Sequence, residues 1–127
     1  MRYFITVLSF ALLFGLAAST SAQVIAVDMN KAKLMWDWTQ GAAPNDGTPD
    51  EFRVKCGGVS GTYTKITVVV GSAVRELPVK SAITGSGDWF CVVTAANQFG
   101  ESGPTNEVPF VAGVGPSSPT NLVIQAQ

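Results

Sequence analysis

The sequence predicts an all-β fold: an antiparallel sandwich of six or seven short strands behind an N-terminal leader. Three observations carry that expectation. Apolar and polar residues alternate at a period of two along several segments. Gly, Pro, Asn and Asp clusters break those segments at intervals of about 8–12 residues, the spacing of sandwich strands. Beyond the leader, no apolar repeat at the helical period of about 3.6 runs far enough to form a helix.

The leader comes first. Arg2 supplies a positive start, residues 4–18 are almost wholly apolar, and the run closes on small residues that include Thr20 and Ala22. That pattern suits a signal peptide cleaved before Gln23. The rival reading is an uncleaved membrane anchor, but a spanning helix needs about 20 apolar residues and this run is shorter. Residues 1–22 are therefore expected to be removed. Residues 23–112 form one domain, and residues 113–127 a tail of linker composition with a possible extra strand. A secreted or periplasmic location follows, with no membrane span in the mature form.

In the mature chain, Leu34, Trp36 and Trp38 alternate with Lys33 and Asp37, which predicts a half-buried strand. A dense turn region follows, with Gly41, Pro44, Asn45, Asp46, Gly47 and Pro49. Phe52, Val54 and Cys56 point inward on the next strand, with Arg53 and Lys55 outward. Residues 63–70 are rich in β-branched side chains, as strands are. Residues 74–79 form a strand with Leu77 and Val79 inward. Ile83 precedes a turn through Gly85 and Gly87, and residues 89–96 make the most apolar strand. On it Trp89, Cys91, Val93 and Ala95 share one face, and Phe90 and Val92 the other. A loop over residues 97–106 leads to a last strand at residues 108–112. Beyond Pro116 and Pro119, Leu122, Val123 and Ile124 again read as a strand.

Composition narrows function. The formal charge is −1 with Arg2 included, and no basic stripe is present. This argues against nucleic acid or an anionic membrane surface as the main partner. Histidine is absent, which removes the commonest general base and metal ligand. Two cysteines, Cys56 and Cys91, in an exported chain predict one disulfide; two buried free thiols are the alternative. Such a bridge destabilises the unfolded chain by roughly 3–4 kcal/mol in the chain-entropy picture.

The segment Trp89-Phe90-Cys91-Val92-Val93-Thr94-Ala95-Ala96-Asn97-Gln98-Phe99-Gly100-Glu101-Ser102, with Thr105-Asn106-Glu107-Val108 after it, resembles the F strand, F–G loop and G strand of a fibronectin type III domain. Leu34-Met35-Trp36 resembles the strand B tryptophan motif, Phe52-Arg53-Val54 the aromatic-x-Val of strand C, and Ile83 with Gly85 and Gly87 the segment before strand F. The likeness covers most of residues 31–111 and implies a seven-strand antiparallel Ig-like or fibronectin type III β-sandwich.

Three departures accompany it. Trp89 stands where the family usually has the tyrosine of its corner, and an indole donates one hydrogen bond but has no hydroxyl. The family usually lacks a disulfide. The resemblance makes the strands of Cys56 and Cys91 antiparallel neighbours, with both thiols facing the core at one end. Strand A has little room, because only residues 23–29 precede strand B. Meanwhile the tail resembles the proline-rich approach and first strand of a following domain. It is an evolutionary remnant, the mark of a gene model that stops early, or a donated strand (Leu122, Val123, Ile124) that pairs with an open sheet edge of the same or another copy.

Reactive constellations are missing from the sequence. Without histidine no Ser-His pair exists, and no Ser-x-x-Lys occurs. Asp46, Asp50 and Glu51 share a loop that is either a solvated turn or a weak site for a hard cation. No catalytic residue, cofactor or metal is expected. Phe99 is the one loop aromatic; it serves recognition or folds back as a lid on the core. The resemblance puts Arg53, Lys55, Phe90, Val92, Pro109 and Val111 on one outward face, which is either ordinary exterior or a protein-contact patch.

The leading expectation is a non-catalytic adhesion or interaction module. It binds a protein or glycan through the loops 39–51, 71–73 and 97–106, with Phe99, Gly100 and Glu101 as candidates and Arg53, Phe90 and Val92 on the adjoining face. The alternative is a self-associating subunit of a surface filament or envelope layer that uses the C-terminal strand.

Overall fold

The computed structural model describes residues 23–41 and 47–126. The expected leader and residues 42–46, with Asp46, lie outside them. The described chain forms β1 (Ile25–Asp28), β2 (Lys33–Met35), β3 (Glu51–Gly57), β4 (Lys65–Val70), β5 (Glu76–Pro78), a helical turn α1 (Val79–Ala82), β6 (Gly87–Asn97), β7 (Gly100–Glu101) and β8 (Val108–Gly113). None of the helices described is long and apolar enough to cross a membrane.

Alternation builds the large sheet. Along β3, Phe52, Val54 and Cys56 are buried while Glu51, Arg53 and Lys55 are half-exposed, so one face of the strand seals the core. The sheet runs β1-β8-β6-β3-β4, with β7 added against the end of β6. A second, two-stranded sheet pairs β2 with β5. Both sheets contribute to one apolar cluster: Trp36, Phe52, Val54, Cys56, Val79, Ile83, Trp89, Val93 and Phe110 are buried, with Leu34, Leu77 and Val69 packed around them. The Trp36 and Phe52 rings meet at 5.6 Å between the layers, tilted by 52°, an arrangement aromatic quadrupoles favour.

The all-β class holds, with eight strands in two sheets among the described residues. The expectation of a wholly antiparallel sheet does not: β1 pairs in parallel with β8, Ile25 opposite Phe110 and Asp28 opposite Gly113. A tight turn explains this. Asp28 O accepts from Lys31 N and Ala32 N at 3.0 and 2.9 Å, so the chain crosses between layers within four residues. β1 is thereby committed to the large sheet, and among the described residues β2 is flanked by β5 alone.

The strand expected at 74–79 is also cut short. Pro78 has no N–H to extend a ladder, and the chain coils into α1, which buries Val79 and Ala82. Lys65 Nζ caps the end of that turn at Ser81 O and Ile83 O, 3.0 and 3.2 Å away. The tail makes no strand among the described residues. Leu122, Val123 and Ile124 are 100%, 78% and 95% exposed.

Two details follow the sequence closely. Cys56 and Cys91 lie directly opposite each other on β3 and β6, their Cα atoms 4.2 Å apart, and are joined by a disulfide within the sheet. Trp89 Nε1–H donates to Gly85 O, four residues upstream, at 2.8 Å, so the indole's one donor is met.

Candidate functional site

Register decides what meets at the loop end. Glu51, at the start of β3, lies opposite Val70 at the end of β4 and Ala96 near the end of β6. The segments before β3, after β4 and after β6 therefore emerge together. Backbone bonds tie them: Asp50 N donates to Ala96 O and Gly71 N to Asp50 O, each at 2.9 Å. Asn97 Nδ2 donates to Thr48 O at 3.1 Å.

Arg75 forms the underside. Its guanidinium donates to Ser72 O, Val74 O and Trp38 O and lies 5.7 and 5.3 Å from the ring centroids of Trp38 and Phe52, within cation–π range. Nothing in the sequence pattern marked Arg75. Its role depends on two segments 37 residues apart arriving side by side.

At the rim, Asn97 pairs with Gly100 across a two-residue turn. Asn97 Oδ1 accepts the Phe99 N–H at 2.9 Å, the self-capping that asparagine supplies in turns. Gly100 takes φ +154°, in the region that favours glycine. Phe99 is consequently held on the turn at 87% exposure; it is displayed and does not cover the core. Beside it opens a cleft of about 380 Å³, lined by Trp38, Pro49, Ala95, Asn97, Phe99 and Glu101 among others. Trp38 is half-buried, with part of its ring on the core.

The rest of the loop after β6 is pinned. Ser102 Oγ accepts Ala95 N–H at 2.9 Å and Thr105 Oγ1 accepts Val93 N–H at 3.0 Å, while Ser102 N and Thr105 N return bonds to Ala95 O and Val93 O. Hydroxyls thus take the place of ladder carbonyls around Gly103 and Pro104. The Ser and Thr flanking that pair are a signal the sequence reading passed over.

On the outward face, Glu101 gathers the charges. Arg53 donates to Glu51 and Glu101 at 2.8 and 2.9 Å, Lys55 pairs with Glu101, and Thr94 Oγ1 donates to Glu101 at 2.6 Å. The Lys55 and Thr94 hydrogen bonds, with Arg53 nearby, lower the Glu101 carboxyl to about 2. This network occupies the middle of the outward face. Lys55 sits opposite Val92 and reaches along the sheet to Glu101, and Val92 beneath is 4% exposed. Phe90 is half-buried, and Arg53 is engaged by two carboxylates. Exposed apolar side chains on this side sit further out, at Ile66, Val68 and Val70 on β4 and Val111 on β8.

At the opposite end, Glu107 accepts from Ser60 Oγ, Gly61 N and Tyr63 OH, tying the turn after β3 to the approach of β8. Among the described residues no three His, Cys, Asp or Glu side chains come together to hold a metal. Asp50 and Glu51 are present, and Asp46 lies outside the described residues. No family model matches the chain, and no curated protein or solved structure matches it significantly.

Proposed function

We propose that the chain is an exported, non-catalytic interaction module of fibronectin type III-like build that binds a protein or glycan through its loop end. The observation that carries this reading is Phe99, an almost fully exposed aromatic on a turn that Asn97 pre-sets, beside a cleft floored by Trp38. An apolar side chain ordered before binding loses little entropy on contact, which is how rigid aromatic anchors become hot spots. Asn97, Glu101 and Ser102 around the cleft supply polar groups for a hydroxylated or peptidic ligand.

Topology supports the family reading. The β8-β6-β3 order and the β2-β5 pair follow the C-F-G and B-E neighbours of Ig-like sandwiches. The disulfide supports an oxidising compartment, where such bonds persist.

The test compares the chain from Gln23 with Phe99→Ala on a glycan array and against immobilised extracts of the source's own surface proteins. Phe99→Ala is expected to leave stability within about 0.5 kcal/mol, as for an exposed site, and to weaken binding about tenfold or more. Binding that Phe99→Ala leaves intact removes the loop end from the reading.

A second reading, a self-associating structural subunit, is favoured by the unpaired apolar residues of the tail.

A further inference from the structure

The smaller sheet is short of a strand. Among the described residues β2 is bonded to β5 alone, in a two-stranded ribbon that packs one face on the shared core. Its other edge faces a groove of about 330 Å³, apolar along Leu34, Met35, Trp36 and Val108 and polar at Asp37 and Asn106. Met35 is 70% exposed there. The wall also holds an unmet donor: the Trp36 indole N–H is buried without a hydrogen-bond acceptor, although Trp36 is only 8% exposed. An edge with free backbone groups above a partly apolar groove is a template for another strand.

The same chain carries a segment of matching chemistry. Residues 113–127 contain no charged side chain, so burying them desolvates no charged side chain of their own. Pro116 and Pro119 stiffen the approach, and Leu122, Val123 and Ile124 lie exposed and unpaired. In extended form Leu122 and Ile124 point to one side and Val123 to the other, so two apolar side chains enter the groove together.

Placement argues for a second copy. The tail leaves β8 at Gly113, where Gly115 N donates to Asp28 Oδ2 at 3.1 Å. The groove lies by Val108, at the opposite end of the same strand. The tail's exit and the groove thus lie at opposite ends of β8, and the tail's apolar residues are exposed and not seated in their own chain's groove; between copies that relation runs head to tail and propagates into open chains.

We propose that the open edge of β2 accepts the Leu122–Ile124 strand of a second copy, linking copies head to tail. The inference rests on the self-associating reading and names its acceptor.

The experiment uses the chain from Gln23 labelled with ¹⁵N at tryptophan. Sedimentation is measured over a dilution series, alongside the Leu122→Asp/Ile124→Asp variant, whose changes fall on exposed residues. A synthetic peptide of residues 116–127 is then titrated into the double variant. The parent chain is expected to form concentration-dependent multimers, and the variant to remain a monomer. The peptide is expected to shift the Trp36 indole signal, assigned with Trp36→Phe, and to leave those of Trp38 and Trp89 in place. Multimers that the double variant retains overturn the proposal. So does a peptide that binds without moving Trp36, although tail-dependent assembly then still stands. A chain that is monomeric throughout, including one whose own tail fills the groove, overturns both the acceptor and the self-associating reading.

Discussion

At Gly57 a single hydrogen atom keeps the turn closed. A Cβ there would lie 1.8 Å from Thr62 O and 2.9 Å from Thr62 C, because residues 58–62 fold back over the end of β3 with Val59 opposite Thr62. Backbone cannot yield as a flexible side chain does. Gly57→Ala is therefore expected to destabilise the domain by at least about 1–3 kcal/mol, the usual cost of overpacking, as measured by urea unfolding. A variant as stable as the parent would mean that this turn is loose. Residue-scale chemistry of this kind was half legible: Gly57-Gly58 announced a turn, but the choice of Gly57 as the indispensable member depends on where Thr62 returns. Trp89 is similar. Its inward position followed from alternation with Cys91 and Val93, whereas its bond to Gly85 O required the turn to pass beneath the ring.

At the scale of elements, β3, β6 and β7 share a charged surface whose centre is Glu101. Its carboxyl is held at about 2 by hydrogen bonds from Lys55 and Thr94 and by the nearby Arg53, against an ordinary glutamate value of about 4.3. A carboxyl depressed on folding stabilises the native state above its unfolded pKa, and that contribution is lost as pH falls through the folded pKa. Unfolding free energy is thus expected to decline from about pH 5 to about pH 2, and Glu101→Gln to flatten the decline. It does not remove the slope. Glu107, hydrogen-bonded by Ser60 and Tyr63, and Asp28, hydrogen-bonded by the Asn30 and Gly115 backbone, are lowered in the same sense. Denaturant titrations at stepped pH measure this, and parallel slopes for parent and variant would contradict it. Val92, opposite Lys55 in the sheet, is buried although it lies on the outward face. Alternation correctly put it on the outward face, but a period of two cannot say whether long charged side chains lie across that face.

For the molecule as a whole, the disulfide joins the two central strands of the larger sheet, both cysteines being almost wholly buried. Replacing both with alanine is expected to cost about 2–5 kcal/mol, as for other small disulfide-bonded domains. Because solvent reaches neither sulfur readily, a mild reductant should act on the native chain no faster than the chain opens; thiol labelling followed against global unfolding tests this. Rapid labelling of the folded protein would place the bridge in a mobile region.

The sequence by itself determined the strands whose pattern is local. Phe52, Val54 and Cys56 on β3 and Trp89, Cys91 and Val93 on β6 declare a shared face by alternation, since a strand sends successive side chains to opposite sides. Tertiary structure alone decided which edges meet. The parallel seating of β1 on β8, the helical turn that buries Val79, the Arg75 contact beneath Trp38 and the edge of β2 left open depend on register between distant segments. No short-range period encodes that register. The loop end shows both origins at once: Phe99 and its turn are readable from Asn97 to Gly100, but the cleft beside it exists because β3, β4 and β6 end at the same level.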